Sequence, residues 1–286
     1  MFAEFNLEIP RRLNAALGLL SDGEPAVILA GGTNLLIDLR AGSVRPDRVV
    51  ALGELDELRT ITVDKDRITI GSRTTVTDLL RDPRVAEFAP ALIDAASLFA
   101  GQMVRNTATV GGNIACSSPA ADLVPPLISL DARLTLTSAA SSRSVALAEF
   151  YRGYKQDVRK PDEIITRISW NRLPGNCVNR FYKLARRKGD AITVTGVAIT
   201  VGISDGKCSN LRIALGSVAP TVMRARAAEA VLQGQVPTSE AIALAAKTAA
   251  AECSPIDDVR ASAAYRRHTV QMLTRRLISQ ACAQLV

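Results

Sequence analysis

The chain has 286 residues, of which 48% are hydrophobic, 4% aromatic and 22% charged. This length suffices for two domains or one large α/β domain, and the composition is that of an ordinary globular protein. Its longest apolar runs fall well short of the roughly 20 residues of a membrane-spanning helix. The first ten residues include two glutamates and do not resemble a signal peptide. We therefore expect a cytoplasmic protein without a membrane span.

The net charge of +7 is distributed unevenly along the chain. Residues 1–140 hold 13 Lys and Arg against 17 Asp and Glu, whereas residues 141–286 hold 22 against 11. A basic half can bind nucleic acid, an acidic partner or a phosphate-bearing ligand, or it can simply be a solvated surface. Nucleic-acid readers usually add exposed aromatic residues or a known reading motif. We therefore expect no nucleic-acid partner.

The cysteines and the histidine limit the possible chemistry. Five cysteines lie far apart without a Cys-x-x-Cys pair, and the chain has one histidine, His268. Neither a zinc site nor an iron–sulfur cluster held by this chain alone is expected from such spacing. A single histidine also supports neither a Ser–His–Asp triad nor a multi-histidine metal site. We predict no catalytic side chain and no metal ligand.

Periodicity predicts alternating helices and strands in the first half. Apolar spacing indicates a helix around 13–20, and a helix is expected to begin at Thr77. The remaining predictions are strands at 26–30, 49–52, 60–63, 67–70 and 133–137, helices at 34–40 and 90–100, and a turn at 139–144.

The cluster Asn171-Arg172-Leu173-Pro174-Gly175-Asn176 indicates a domain boundary, since Pro, Gly and Asn concentrate in linkers and turns. Beyond it, strands are predicted around 180–183, 194–201 and 211–215, with helices at 224–232, 239–251 and about 261–285. Strands followed by helices suggest a small α+β second domain.

Paired glycines occur twice beside Thr and Asn. The first glycine segment is Ala30-Gly31-Gly32-Thr33-Asn34 and the second is Thr109-Val110-Gly111-Gly112-Asn113. Neither has the spacing of a G-x-G-x-x-G motif or a P-loop. Consecutive glycines let the backbone approach a ligand, and amides in turns can converge on a phosphate. A glycine pair after a strand is, by itself, more often only a turn, so these residues leave both interpretations open.

A longer stretch around the second segment resembles a known family. Residues 99–115 (FAGQMVRNTATVGGNIA), continued by Ser118-Pro119-Ala120-Ala121-Asp122, resemble the FAD-binding signature of the molybdenum hydroxylase flavoproteins. These are the medium subunits of carbon monoxide dehydrogenase and of bacterial xanthine, nicotinate and aldehyde dehydrogenases. Residues 28–36 are similar to the family's other FAD segment, and residues 258–266 (DVRASAAYR) resemble its C-terminal signature. The resemblance covers nearly the whole chain.

The resemblance implies an α+β fold with two domains. Residues 1–172 would form a two-subdomain FAD-binding domain of the PCMH type, as in vanillyl-alcohol-oxidase-like flavoproteins. Residues 177–284 would form a small α+β domain of the carbon monoxide dehydrogenase flavoprotein C-terminal type.

The resemblance also implies which residues contact FAD. One segment would wrap the pyrophosphate and ribityl chain, another would form the second phosphate-side loop, and single residues would lie at the flavin, the adenine or another part of the cofactor. Lys183 would lie at the flavin edge, with its register uncertain by one residue. The implied contacts are Ile28, Leu29, Ala30, Gly31, Gly32, Thr33, Asn34 and Leu35, then Phe99 and Ala100, then Thr109, Val110, Gly111, Gly112 and Asn113, and finally Asp122, Ile165 and Lys183.

On this resemblance the chain is an electron-transfer subunit of an oxidoreductase. It would pass electrons from 2Fe–2S clusters on a small partner subunit through FAD to an external acceptor, while a large partner subunit with a molybdenum cofactor hydroxylates the substrate. The complex would be a dimer of heterotrimers. Basic residues at 186–188 and 266–267 could supply a docking surface for these partners. Two alternatives remain open, a stand-alone flavin oxidoreductase and a non-catalytic anion-binding scaffold subunit.

Overall fold

The first lobe is a small parallel sheet with two helices. The computed structural model describes residues 4–187 and 189–285. The lobe's elements are β1 (Asn6–Glu8), α1 (Leu13–Ser21), β2 (Val27–Leu29), α2 (Leu35–Ala41) and β3 (Arg48–Ala51). The strands lie in the order β1-β3-β2, and both pairings are parallel. Because parallel neighbours need a crossover connection, α2 joins β2 to β3.

The second lobe is built on an antiparallel sheet. Its elements, with short 3-10 turns at Asp56–Leu58 and Leu147–Glu149, are β4 (Ile61–Asp64), β5 (Arg67–Gly71), α3 (Val76–Arg81), α4 (Pro83–Phe88), α5 (Pro90–Ser97), α6 (Gln102–Thr107), α7 (Val110–Ala115), α8 (Val124–Ser129), β6 (Arg133–Thr137), β7 (Ser142–Ala146), β8 (Tyr151–Gly153), β9 (Gln156–Asp157) and β10 (Ile164–Asn171). The sheet order is β4-β5-β10-β6-β7, and β8 and β9 pair separately.

The core of the second lobe surrounds β10. This central strand is buried at most of its positions, as expected for a strand covered on both faces. Trp170 is 2% exposed and its indole nitrogen donates to the Phe88 carbonyl oxygen at 3.1 Å. Because the one polar atom of this large side chain is satisfied, the tryptophan is buried without an unpaired donor.

The C-terminal domain is an antiparallel sheet covered by helices. Its elements are β11 (Cys177–Ala185), β12 (Thr193–Ser204), β13 (Lys207–Gly216), β14 (Met223–Arg224), α9 (Arg226–Leu232), α10 (Ser239–Glu252) and α11 (Ala263–Leu285). The strands lie in chain order, and α11 packs on β12 and β11. Its core joins the sheet to all three helices.

The C-terminal sheet packs directly on the second lobe through polar and apolar contacts. Asn179 on β11 is 4% exposed; its Oδ1 accepts from the Ala91 amide at 3.0 Å and its Nδ2 donates to Ser129 Oγ at 3.1 Å. Arg224 reaches across to Asp131 at 2.7 Å. A buried amide satisfied by both units fixes their relative position, because separating them would leave its groups unpaired.

The predicted α+β fold is confirmed, but several predicted ends are wrong. The third helix begins at Val76 rather than Thr77, because Thr75 is its N-cap and forms a capping box with Asp78. The helix predicted over 90–100 ends at Ser97, the turn predicted over 139–144 already contains the start of β7, and Arg224 lies in β14 rather than in a helix.

Candidate functional site

The first glycine segment connects β2 to α2. Residues 28–33 are partly buried, as is Leu35, whereas Asn34 is exposed. Gly32 has φ +72°, in the left-handed region that favours glycine. A Cβ on Gly31 would overlap the carbonyl oxygen of Thr107, so the backbone at 31 lies directly against the chain just before the second segment.

The second glycine segment is the start of a helix, not a loop as the sequence suggested. Thr109 is the N-cap of α7, and its Oγ1 accepts from the Gly112 amide at 3.1 Å. The Gly111 amide donates to the Ser72 carbonyl oxygen at 2.9 Å, and a Cβ at 111 would lie 2.5 Å from Ser72 Cβ. Asn113 accepts from the Leu123 amide at 3.3 Å, so its side chain helps to hold the following segment.

The structure brings the two glycine segments together. Besides the contact of Gly31 with Thr107, the Cβ of Ala30 would lie 3.8 Å from a Cβ placed on Gly112. The Asn34 side-chain amide donates to Cys116 Sγ, just beyond α7, at 2.9 Å. Two segments about 80 residues apart in sequence are therefore neighbours in the fold, and their glycines allow the backbones to approach closely.

Phe99 and Ala100 follow α5 and lie beside the C-terminal domain. Phe99 is partly buried and packs on the core of the second lobe. Ala100 has φ +34°, a conformation that costs a non-glycine residue free energy. The carbonyl oxygen of Leu98, next to this pair, accepts from Lys183 Nζ at 3.2 Å. The predicted residues at 99, 100 and 183 are thus neighbours.

Asp122 and Lys183 form a buried ion pair across the domain boundary. Lys183 Nζ lies 2.7 Å from Asp122 Oδ2, and the side chains are 5% and 10% exposed. Thr193 Oγ1 donates to Asp122 Oδ1 at 2.5 Å. Burial raises the pKa of Asp122, while the lysine ammonium and the threonine hydroxyl act in the opposite direction. Lys183 is directed to this pair, whereas the neighbouring Tyr182 is exposed on the other face of β11 beside Arg276.

Two predicted residues, Val110 and Ile165, lie in the core of the second lobe. They are 0% and 4% exposed and belong to the same cluster as Ile114. Ile165 could therefore contribute to a ligand site only by supporting the second glycine segment, with which β10 packs.

Several polar groups near the second segment were not found from the sequence. Tyr151 Oη donates to the Ile114 carbonyl oxygen at 3.1 Å, and Arg159 donates to that of Ala115 at 3.3 Å. These groups satisfy carbonyls near the end of α7. Burial, with the nearby Asp157 carboxylate, holds the pKa of Tyr151 well above its ordinary value, so the phenol stays protonated as the donor. Like Thr193, they come from distant elements and have no local sequence pattern.

The basic residues suggested as a docking surface are only partly suited to that role. Arg266 is 4% exposed; it donates to the carbonyl oxygens of Val194 and Ser217 at 2.8 and 2.7 Å and pairs with Asp258 at 2.8 Å. It is a structural residue, and including it in a surface was wrong. Arg186 and Arg187 are exposed, and Lys188 lies outside the described residues.

Asp258 is the centre of a polar cluster at the start of α11. Its carboxylate accepts from the amides of Arg260 and Ala261 and from the guanidinium groups of Arg260 and Arg266. Burial acts to raise the pKa of Asp258, but these donors outweigh it and hold the pKa well below its ordinary value. The C-terminal signature is therefore a structural motif that anchors α11 to the sheet.

Comparison with known families identifies the class of the chain. Residues 3–170 match the family described as the FAD binding domain in molybdopterin dehydrogenase. Residues 180–281 match the CO dehydrogenase flavoprotein C-terminal domain. The chain belongs to this family of FAD-binding flavoprotein subunits, as the motifs predicted, and it is a subunit of the oxidoreductase class.

Individual relatives can be aligned with this chain over nearly their full lengths. The chain is 34% identical over 270 residues to the putative xanthine dehydrogenase FAD-binding subunit of Escherichia coli (strain K12), covering 94% of this chain and 92% of that one. It is 31% identical over 281 residues to the carbon monoxide dehydrogenase medium chain of Hydrogenophaga pseudoflava, covering 98% of each.

Solved structures have the same fold. A chain of the Hydrogenophaga pseudoflava carbon monoxide dehydrogenase has a TM-score of 0.95 at 32% identity and 99% coverage of both chains. A chain of quinoline 2-oxidoreductase from Pseudomonas putida 86 has a TM-score of 0.92 at 29% identity, covering 100% of this chain and 99% of that one.

The described residues, 4–187 and 189–285, contain neither a membrane-spanning helix nor a cluster of metal-binding side chains. None of their helices is long and apolar enough to cross a membrane. Nor do they contain a group of three or more His, Cys, Asp or Glu side chains arranged to hold a metal ion.

Proposed function

We propose that this chain binds FAD with the two glycine segments and the Asp122–Lys183 pair, and that it relays electrons within a molybdenum hydroxylase complex. The observation that carries the proposal is the close approach of the two segments: the Gly31 backbone lies against Thr107, two residues before the second segment, and Ala30 lies beside Gly112. The proposed contacts are Ile28, Leu29, Ala30, Gly31, Gly32, Thr33, Asn34, Leu35, Phe99, Ala100, Thr109, Gly111, Gly112, Asn113, Asp122 and Lys183. Val110 and Ile165 would support them from the core of the second lobe.

These residues fit the chemistry of the cofactor. The backbone around Gly31 and Gly112 is free of side-chain bulk at the surface shared by both segments, which suits close approach to a pyrophosphate. Thr33 and Asn34 add neutral donors and acceptors. Lys183 supplies a buried positive charge. A bound flavin supplies the redox chemistry, and the protein's part is to bind, orient and tune it.

The chain's own groups would tune the cofactor through charge. A cation beside the flavin ring stabilises the negative charge of its reduced form, and Lys183 is held in place for that purpose by Asp122 and the Leu98 carbonyl. We also propose that residues 1–172 act as the FAD-binding domain and residues 177–284 as the C-terminal domain. Because Asp122 and Lys183 fall on opposite sides of this boundary, both domains would contribute to one site.

The names of the relatives suggest that this chain is one subunit of a larger complex. A "medium chain" of carbon monoxide dehydrogenase belongs with other chains. We propose a small partner subunit with 2Fe–2S clusters, a large partner subunit with a molybdenum cofactor, a dimer of such heterotrimers and a cytoplasmic location. The exposed Arg186 and Arg187 are candidates for the docking surface.

Titration of the purified chain with FAD tests the proposed site. Gly32→Ala and Gly42→Ala form a matched pair, because both glycines have left-handed φ, +72° and +71°, and only Gly32 lies in the first segment. Each alanine is expected to cost about 1–2 kcal/mol in backbone strain. Only Gly32→Ala should also weaken FAD binding, by about tenfold or about 1.4 kcal/mol.

The measurement is the dissociation constant of FAD from the change in flavin fluorescence on binding. If the wild-type chain left FAD fluorescence unchanged at every concentration, the proposal that it binds FAD would be wrong. Equal affinities in the two variants would remove the first glycine segment from the site. In the purified complex, flavin bands together with iron–sulfur absorbance at longer wavelength would support the proposed assembly.

A further inference from the structure

Thr193 lies where nothing in the sequence marks a functional residue, yet it completes the buried ion pair. It is 3% exposed, and its hydroxyl donates to Asp122 Oδ1 while Lys183 pairs with Oδ2 of the same carboxylate. Each oxygen of the carboxylate therefore has its own donor. We propose that Thr193 is a positioning residue for the flavin site: it orients Asp122, and Asp122 with the Leu98 carbonyl fixes the ammonium of Lys183.

An irregularity in the sheet puts Thr193 in this position. Lys183 is paired with Gly196 and Leu184 with Thr195, but Ala185 is paired with Thr193, so Val194 has no partner on β11. In a regular strand, residues 193 and 195 would point to the same face. The extra residue of a β-bulge turns the strand by one position and redirects the side chains beyond it. Thr193 therefore shares the face of Lys183, and Thr195 does not.

The contacts of Thr195 show that it lies on the face of β12 opposite to that of Thr193. Thr195 is fully buried, and its Oγ1 lies 2.7 Å from Oγ1 of Thr269 on α11, the helix on the far side of the sheet. The bulge thus sends one threonine toward the helices and the other toward the second lobe. Since bulges often re-aim a side chain at a functional site, the geometry supports a positioning role for Thr193.

The count of donors on Lys183 shows what this arrangement leaves available. A lysine ammonium has three N–H donors, and within the described part of the chain two have acceptors, Asp122 Oδ2 at 2.7 Å and the Leu98 carbonyl at 3.2 Å. One donor remains for an acceptor atom of a ligand. If Asp122 rotated away, the ammonium would lose its charged partner in a buried site and would have to move toward solvent or another anion.

The role of Thr193 rests on the proposed function, because a positioning residue needs the flavin that Lys183 would serve. The variants are Thr193→Val, which removes the hydroxyl at nearly the same shape, Thr193→Ser, which keeps it, and Thr195→Val as the matched control on the other face of β12. All are made in the full chain loaded with FAD. The readout is the midpoint potential of the bound flavin, alongside the dissociation constant of oxidised FAD.

Thr193→Val should lower the affinity for reduced relative to oxidised flavin by about tenfold, the size expected for one hydrogen bond to a charged group. That ratio corresponds to a midpoint potential about 30 mV lower for a two-electron couple. Thr193→Ser should restore the wild-type potential, and Thr195→Val should leave it unchanged. A loss of stability alone would not move the potential of flavin that stays bound.

Equal potentials in wild type, Thr193→Val and Thr195→Val would overturn the positioning role and leave FAD binding standing. Should Thr193→Val not fold, the pair Thr193→Ser and Thr193→Ala isolates the hydroxyl in the same way, and equal potentials there would again overturn the role. In the chain without FAD, the rate at which acetic anhydride modifies Lys183, followed by mass spectrometry, should rise in Thr193→Val and not in Thr195→Val. That second readout separates a failure of the inference from a failure to bind FAD.

Discussion

The two glycine pairs, Gly31-Gly32 and Gly111-Gly112, stand in unlike surroundings. Gly31 and Gly32 are partly buried in a connection between a strand and a helix, and the limits on them come from the approach of another segment and from a left-handed φ. Gly111 is buried inside α7, with the backbone of Ser72 against it. The first pair is constrained by the approach of Thr107 and by the left-handed φ of Gly32, and the second by packing of Gly111 against Ser72.

The two lobes that contain these glycine pairs also differ in how their cores are built. The first lobe has a small core of helix and strand residues, and Arg48 is buried at its edge with Asp22 as its partner. The second lobe has a large apolar core that includes Trp170, Phe88 and Phe150. One half of the proposed site is therefore supported by a large packed core, whereas the other half depends on a few polar contacts and close backbone approaches.

The largest expected effect comes from Gly111→Ala. A Cβ there would lie 2.5 Å from Ser72 Cβ and 2.9 Å from the Ser72 carbonyl oxygen. Alanine would favour the helix by about 1 kcal/mol over glycine, but overpacking against backbone should outweigh this and destabilise the fold by about 3 kcal/mol. The free energy of unfolding from a urea titration measures it. Gly101→Ala, with open space around its Cβ, is the control, and equal losses in both variants would contradict the packing role.

Gly31→Ala should have a smaller effect on stability and a larger one on the ligand. Its Cβ would overlap the Thr107 carbonyl and lie 3.1 Å from Ala108 Cα, so the two segments must move apart. Because the first lobe has a smaller core than the second, we expect it to yield to this overlap at a cost of about 1–2 kcal/mol. The loss of FAD affinity should be at least tenfold, about 1.4 kcal/mol.

Gly18→Ala is the matched control for Gly31→Ala in the same lobe. It lies inside α1, and beyond its own helix backbone and chain neighbours no atom of the described residues comes within 4 Å of its Cβ. Alanine should therefore stabilise the helix by about 0.5–1 kcal/mol. FAD titrations of both variants decide the question. If Gly31→Ala bound FAD as tightly as Gly18→Ala, the close approach of the two segments would have no part in binding.

The same contrast explains what could be predicted from sequence. Periodicity located most helices and strands, because the apolar faces of α1, β5 and β6 follow the local period. The sequence predicts a loop for the second glycine segment, since two glycines weaken any helical pattern. Its helix exists because Thr109 caps it and Ser72 packs against it, and the second of these partners is distant in sequence.

For the proposed site, the sequence indicates only the residues that belong to recognisable motifs. Asp122 and Lys183 were found through the resemblance, and the structure shows that they touch. Thr193 lies just outside the strand predicted over 194–201, and no local pattern marks it. Its side chain meets Asp122 only because the irregularity at Val194 turns it to the face of Lys183. Arg266 was misjudged as a surface residue because its acceptors, the carbonyls of Val194 and Ser217, come from distant parts of the chain.

The last and smallest expected effect is the loss of stability of the first lobe in acid, which is absent at neutral pH. The hydrogen bonds from Arg48 lower the pKa of Asp22 from 3.8 to about 2. A carboxyl group whose pKa is lowered by folding contributes stability above its unfolded pKa and loses it as the pH falls through the folded value. The first lobe should therefore lose this part of its stability between about pH 4 and about pH 2.

Amide hydrogen exchange reports the two lobes separately, with Val49 and Val50 on β3 for the first lobe and the amides of β10 as the internal reference. Asp22→Asn should exchange faster than wild type at Val49 above about pH 4, and the two chains should converge toward pH 2, where the wild-type carboxyl is itself protonated. Asp47→Asn removes the same charge from an exposed neighbour and should follow wild type throughout. If β3 and β10 lost protection together in wild type, the two lobes would be one cooperative unit. The polar anchoring of the first lobe would then not distinguish it from the packed half of the site.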